Sequence, residues 1–164
     1  DKFKFSSLMI KNFNKFLIKL NIKEGKIDKN ILNYFRSSWT FNYEKKYYNN
    51  QSLEESIKSS TDAMNKLSKI LKEKSISLNI VVFPHPATLY NDNENNIYVK
   101  TWKEFCLNNC KGFYDLNEVF FKEFENNFYK SYLNYFINGD IHLNKNGHKF
   151  VAKEFLRLYR KKLD

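Results

Sequence analysis

The run Leu78-Asn79-Ile80-Val81-Val82-Phe83, stopped by Pro84 and Pro86, constrains this chain more than any other stretch. It is short, apolar and β-branched, the composition of a buried strand in a parallel sheet. A helix leads into it. Ser52 and Glu55 have the spacing of a capping box, in which each side chain satisfies a backbone donor of the other. Leu53, Ile57, Met64, Leu67 and Leu71 then fall on one face of a helix that runs to about Lys74. A helix followed by a buried strand is the rhythm of an α/β sheet.

The rest of the chain extends that rhythm. Residues 91–96 read as a polar turn. Val99, Trp102, Phe105 and Cys106 predict a second helix ending near Asn109, and Gly112-Phe113-Tyr114-Asp115-Leu116 predicts another short strand. One or two aromatic-rich helical segments follow over 117–133. Upstream, Phe5, Leu8, Met9, Phe13, Phe16, Leu17 and Leu20 recur at helical spacing opposite lysines. This predicts an amphipathic helix with its stripe against a core, the sharper alternative being a helix lying on a membrane surface. Residues 27–35 suit a short helix, and 39–48 a long ordered loop of the kind that often carries function. Two strands do not make an independent sheet. Either the first 50 residues hide strands or further strands lie upstream of Asp1, and the second is the expectation. Residues 1–164 thus read as the C-terminal part of a single domain, with 1–50 a helical and loop lead-in and 51–164 the helix–strand units.

Composition removes several classes of function. The 164 residues suffice for one domain with a core, and sixteen Phe and eleven Tyr argue against global disorder. The net charge of +10 comes from lysines spread along the chain among Glu and Asp, the pattern of a solvated surface. Nucleic-acid binding asks for a concentrated basic face or a known module, and neither is present. The closing Arg157, Arg160, Lys161 and Lys162 complement a helix dipole. No apolar run approaches the roughly 18 residues needed to span a bilayer. Cys106 and Cys110 are too few for a disulfide framework and have no cluster that suggests zinc. Two ordinary thiols are the favoured reading, and a local disulfide in an oxidising compartment is the other. No metal or other cofactor is expected.

The chemistry concentrates in residues 139–155. Asp140 and His142 lie two residues apart just before an amphipathic helix, so the carboxylate can orient the imidazole within one loop. Asn144 is placed to cap that helix. Val151, Phe155 and Leu158 recur at helical spacing, so the helix can pack and fix the loop before it. An oriented acid–base pair on a packed helix is half of a nucleophilic hydrolase site. His148 is the rival imidazole, ranked second because the first helical turn disfavours its protonated form. His85, in the segment that leaves the strand's C-terminal end, is placed where open α/β sheets bind ligands. A loop histidine pinned between prolines is the plainer reading of the same residue.

Gly139-Asp140-x-His142-x-Asn144-x-x-Gly147, followed by an amphipathic C-terminal helix, resembles the final block of the SGNH/GDSL hydrolases. Val81-Val82-Phe83-Pro84-His85-Pro86 resembles the penultimate-strand region of one bacterial branch, as do Trp102, Phe105, Cys106, Cys110 and the Phe113-Tyr114-Asp115-Leu116 strand. The resemblance spans roughly residues 53 to 160. It implies a three-layer α/β/α sandwich with a parallel, flavodoxin-like sheet, incomplete in this chain. It also implies ester hydrolysis through a serine acyl-enzyme, with His142 as general base and Asp140 as its orienting partner. The substrate class it implies is a small-molecule or carbohydrate acyl ester, frequently handled outside the cytoplasm.

The nucleophile half departs from the pattern. No Gly-Asp-Ser motif is present, and the glycine and asparagine blocks that supply an oxyanion hole are not visible. Asn91-Asp92 lacks the preceding glycine. Ser6, Ser7, Ser37 and Ser38 do not sit in a strand-to-helix elbow. The chain is therefore expected to be the C-terminal portion of such a hydrolase, with the serine upstream. A binding module that kept the fold and lost the serine is the alternative, and a membrane-surface protein resting on residues 3–20 is a third. The sequence leaves oligomeric state open.

Overall fold

The computed structural model describes residues 38–161. The helices expected over 3–20 and 27–35, and Ser6, Ser7, Ser37 and Lys162, lie outside the described residues.

Ser52 starts helix α1 (Leu53–Glu73). Its Oγ accepts from Glu55 N at 3.1 Å, and Glu55 Oε2 accepts from Ser52 N at 2.7 Å, so the expected capping box is formed. Strand β1 (Asn79–Val82) follows and ends at the prolines. The chain turns at His85 into a six-residue helix, α2 (Pro86–Asn91), with Pro86 in its first turn. That segment had been expected as loop. A proline's fixed φ and missing N–H suit a first helical position, so Pro86 starts a helix as readily as it stops a strand.

Helix α3 (Ile97–Asn109) is capped by Asn96, whose Oδ1 accepts from Tyr98 N and Val99 N. It crosses over to strand β2 (Gly112–Asp115), which pairs parallel to β1 with Asn79 opposite Gly112 and Val82 opposite Asp115. A parallel pair needs such a crossover, and α3 packs on both strands. The 112–124 run continues into α4 (Asn117–Phe124), then α5 (Phe128–Tyr135) and α6 (Lys145–Arg160). Among the described residues this is a mixed α/β structure with one two-stranded parallel sheet.

β1 is parallel, as expected, but it is not buried. Asn79 is exposed, Ile80 to Val82 are only half-buried, and Phe83 is 43% exposed. The physical reason is the sheet's width. With β2 as its one neighbour among the described residues, β1 keeps an open edge. Leu67, on the apolar side of α1, is likewise 41% exposed.

The core lies instead beneath the C-terminal helices. Leu116, Phe120, Tyr132 and Phe136 are almost wholly buried, together with Ala87, Leu89 and Leu143. Phe120 meets Phe150 of α6 edge to face at 4.9 Å. Full burial of one such ring stabilises by about 1.5–3 kcal/mol. Tyr114 of β2 reaches the same helix through Phe155, also edge to face at 5.0 Å. These contacts fix α6, and with it the loop that precedes it.

Cys106 and Cys110 are joined in a disulfide, which overturns the favoured reading of two free thiols. α3 stops at Asn109, and Cys110 adopts an extended conformation. That break in the helix brings the two Cα atoms to 4.6 Å, within bridging range.

Candidate active site

The Asp140–His142 loop is built by the helices on either side of it. Its ends are closed by an isolated bridge between Phe136 and Leu143, with Ile137 N donating to His142 O at 2.9 Å and Asn144 N to Tyr135 O at 3.0 Å. Gly139 makes the turn with φ 76°, a left-handed conformation that costs glycine little. Asn144 works in two directions. Its Oδ1 accepts from Asn146 N and Gly147 N at the start of α6, and its Nδ2 donates to Phe136 O at 2.9 Å and Leu133 O at 3.2 Å. The expected cap therefore also clasps the end of α5. Gly147 permits this closeness, because a Cβ there would fall 2.1 Å from Tyr135 O.

Tyr132 completes the loop, and the sequence reading missed it. Its ring is fully buried, and its hydroxyl accepts from Asp140 N at 2.9 Å. The same hydroxyl lies 2.9 Å from Ile137 O and 2.8 Å from Asp140 O, to which it donates. An aromatic in a helix eight residues upstream carries no local signal of such a role.

Within this frame Asp140 Oδ1 lies 2.8 Å from His142 Nδ1, so the expected pair is formed. The same oxygen accepts from Ile141 N at 2.6 Å. The His142 hydrogen bond and then the Ile141 N–H hold the Asp140 carboxyl below the usual carboxylate range. An ionised Asp140 accepts only, so in the neutral ring the His142 proton sits on Nδ1 and Nε2 keeps its lone pair. The His142 side chain is 73% exposed.

His85 stands just beyond the C-terminal end of β1, at the N-cap of α2. It is close enough to His142 that a charge there acts on it. Burial first, and then that charge, lower its pKa. The Trp39 ring meets it in an edge contact at 5.7 Å and meets Tyr98 at the same distance and in the same manner. The 39–48 segment is held there by tyrosines. Tyr98 OH donates to Trp39 O at 2.7 Å, Tyr48 OH lies 2.6 Å from Tyr98 OH, and Tyr43 OH donates to Asp92 Oδ2 at 2.9 Å. Burial first, and then the hydrogen bonds to Asp92 and to Tyr48, push the Tyr43 and Tyr98 hydroxyls above the usual phenol range. The expected ordered loop is thus a strap that sets Trp39 against His85.

A cavity of about 390 Å³ opens beside His85, with Trp39, Phe83, Thr88, Asn96 and Trp102 on its wall. Its polar floor is fixed. Asn117 donates twice to Asp115 Oδ1 at 2.8 Å and accepts from Asn96 Nδ2 at 3.4 Å, which ties the tip of β2 to the start of α3. Ser60 also borders the cavity, but its hydroxyl donates back to Ser56 O within α1.

The structure thus brings Asp140 and His142 together and sets His85 near them. His148 is exposed in the first turn of α6, with no hydrogen bond to the pair. Among the described residues no serine hydroxyl hydrogen-bonds His142, and no group of three or more His, Cys, Asp or Glu is placed to hold a metal ion. Among the same residues no helix is long and apolar enough to cross a membrane. Comparison with protein-family models, with curated proteins and with solved structures finds no match to this chain.

Proposed function

We propose that this chain carries the acid–base half of a serine ester hydrolase of the SGNH/GDSL type. Its sheet would be completed into a three-layer α/β/α sandwich by strands other than β1 and β2. The observation that carries the reading is the 2.8 Å contact between Asp140 Oδ1 and His142 Nδ1, made in a loop braced by two helices. In the proposed reaction a serine Oγ, supplied from outside the described residues, attacks the ester carbonyl and gives its proton to His142 Nε2. Asp140 stabilises the imidazolium, and the proton then passes to the departing alkoxide. The substrate is a small-molecule or carbohydrate acyl ester, with no cofactor and no nucleic-acid partner. The Cys106–Cys110 disulfide supports a site of action outside the reducing cytoplasm.

The test is hydrolysis of p-nitrophenyl acetate by the full-length protein that the gene encodes. His142→Ala and Asp140→Asn are both expected to remove most of the rate. A rate unchanged by His142→Ala ends the proposal. One observation favours a second reading, a binding module without turnover: the His142 side chain is 73% exposed and has no hydroxyl partner among the described residues. Ester or sugar binding by the full-length protein, with no hydrolysis, would select that reading.

A further inference from the structure

We propose that His85 is a catalytic hydrogen-bond donor. It offers a neutral Nε2–H to the carbonyl oxygen of the ester whose serine nucleophile His142 deprotonates. This rests on the acid–base reading of Asp140 and His142, and it assigns an oxyanion donor that the sequence did not reveal.

Four observations carry it. His85 sits at the C-terminal tip of β1, beside a cavity large enough for a small substrate. It occupies the N-cap of α2 but makes no side-chain capping bond, so its ring is not consumed by the helix. Its Nδ1 is the one buried side-chain nitrogen or oxygen among the described residues that has no hydrogen-bond partner. Finally, the Trp39 edge contact and the buried Pro84 and Pro86 on either side fix where the ring stands.

The buried Nδ1 decides the tautomer. A proton placed there would be an N–H sealed from water with no acceptor, which costs its full desolvation. The ring therefore keeps its proton on Nε2, which makes no hydrogen bond among the described residues and is not among the sealed atoms. Burial and the charge of His142 also oppose a second proton. The result is a fixed neutral donor, the kind of group that stabilises charge as it develops on an oxygen.

The electrons balance without any proton leaving His85. As the serine Oγ–C bond forms, the carbonyl π pair moves onto oxygen, and the serine proton goes to His142 Nε2. The Nε2–H of His85 hydrogen-bonds the oxyanion. When the π bond re-forms, the bond from carbon to the leaving oxygen breaks, and His142 returns its proton to that oxygen.

The experiment uses the full-length protein and p-nitrophenyl acetate. His85→Leu is expected to lower kcat about 100-fold, the usual effect of losing one oxyanion donor, with KM nearly unchanged. His85→Gln, whose side-chain amide places an N–H near the Nε2 position, should recover most of that loss. Nitrogen NMR of the imidazoles should show His85 protonated on Nε2 alone at neutral pH, and taking up its second proton at a lower pH than an exposed histidine does. A kcat unaffected by His85→Leu, or a His85 proton found on Nδ1, overturns the assignment. If His142→Ala abolishes hydrolysis and His85→Leu does not, the role of His85 alone falls. If His142→Ala has no effect, the acid–base reading falls and takes this inference with it.

Discussion

The Tyr132 hydroxyl holds the Asp140 backbone from both sides, accepting its N–H at 2.9 Å and lying 2.8 Å from its carbonyl oxygen. Asp140 N has a second acceptor in Ile137 O at 2.9 Å, so one of its two bonds survives without the tyrosine. Tyr132→Phe keeps the buried ring and removes only the hydroxyl. The expected cost is about 1–2 kcal/mol of stability, from carbonyls left short of a donor. The dyad should also lose order. Urea unfolding measures the first effect. The second should appear as a fall in the proposed ester hydrolysis larger than the loss of folded protein explains.

What the sequence disclosed, and what it hid, follows from the range of the interactions. Local devices were legible. Ser52 with Glu55, Asn144 ahead of α6, and Asp140 two residues from His142 each act within a few positions, so spacing alone predicts them. The parallel pairing of β1 with β2 was legible as a rhythm of elements, but the exposure of β1 was not, since that depends on which strands stand beside it. Tyr132 and Trp39 reach their partners across 8 and 46 residues. Nothing local to either residue marks it. The disulfide lay between these cases. The spacing of Cys106 and Cys110 permitted it, and the unravelling of α3 at Cys110 decided it.

His85 gives a pH dependence of known sign. Burial, and then the charge of His142, put its folded pKa below the unfolded value of about 6.5. Its contribution is therefore complete above that unfolded value. As pH falls below about 6.5 the unfolded chain takes up a proton that the folded ring resists, and stability declines. The Asp140 carboxyl, also lowered, loses its contribution only as pH falls below about 4, outside this window. Between about pH 7.5 and pH 5.5 the unfolding midpoint of the native chain should drop more steeply than that of His85→Gln. Parallel pH curves for the two proteins would contradict the burial of this ring.

Gly147 tests how tightly α6 is clasped against α5. A Cβ there would meet the Tyr135 carbonyl oxygen at 2.1 Å and Leu143 Cδ2 at 2.8 Å, and the first of these is backbone that cannot swing aside. Gly147→Ala would ordinarily favour a helix interior by about 1 kcal/mol. Here the overlap should reverse the sign and destabilise by about 1–3 kcal/mol. Because Tyr135 O also receives the Asn144 N–H, the displacement should reach the dyad loop. A lowered melting temperature, with shifted His142 ring resonances, is the expected result, and an unchanged or raised one would show that the helices can part freely.

The Cys106–Cys110 bond closes a very short loop, so its stabilising effect is bounded from above. A chain-entropy estimate for a loop of about five residues gives about 2 kcal/mol, well below what a long loop would yield. Cys106 is 7% exposed, so the sulfur is also shielded by its surroundings. Cys106→Ala with Cys110→Ala should therefore lower stability by about 2 kcal/mol or less and leave the Asp140–His142 contact in place, since the bridge sits at the other end of α3 from the strand tips. Urea midpoints of the native and doubly substituted proteins, compared with and without a reducing agent, check this directly. The native protein should shift on reduction and the variant should not. A loss of all folded structure on reduction would instead mean that the junction between α3 and β2 depends on the bridge, and that its packing around Phe105 and Tyr114 cannot hold it alone.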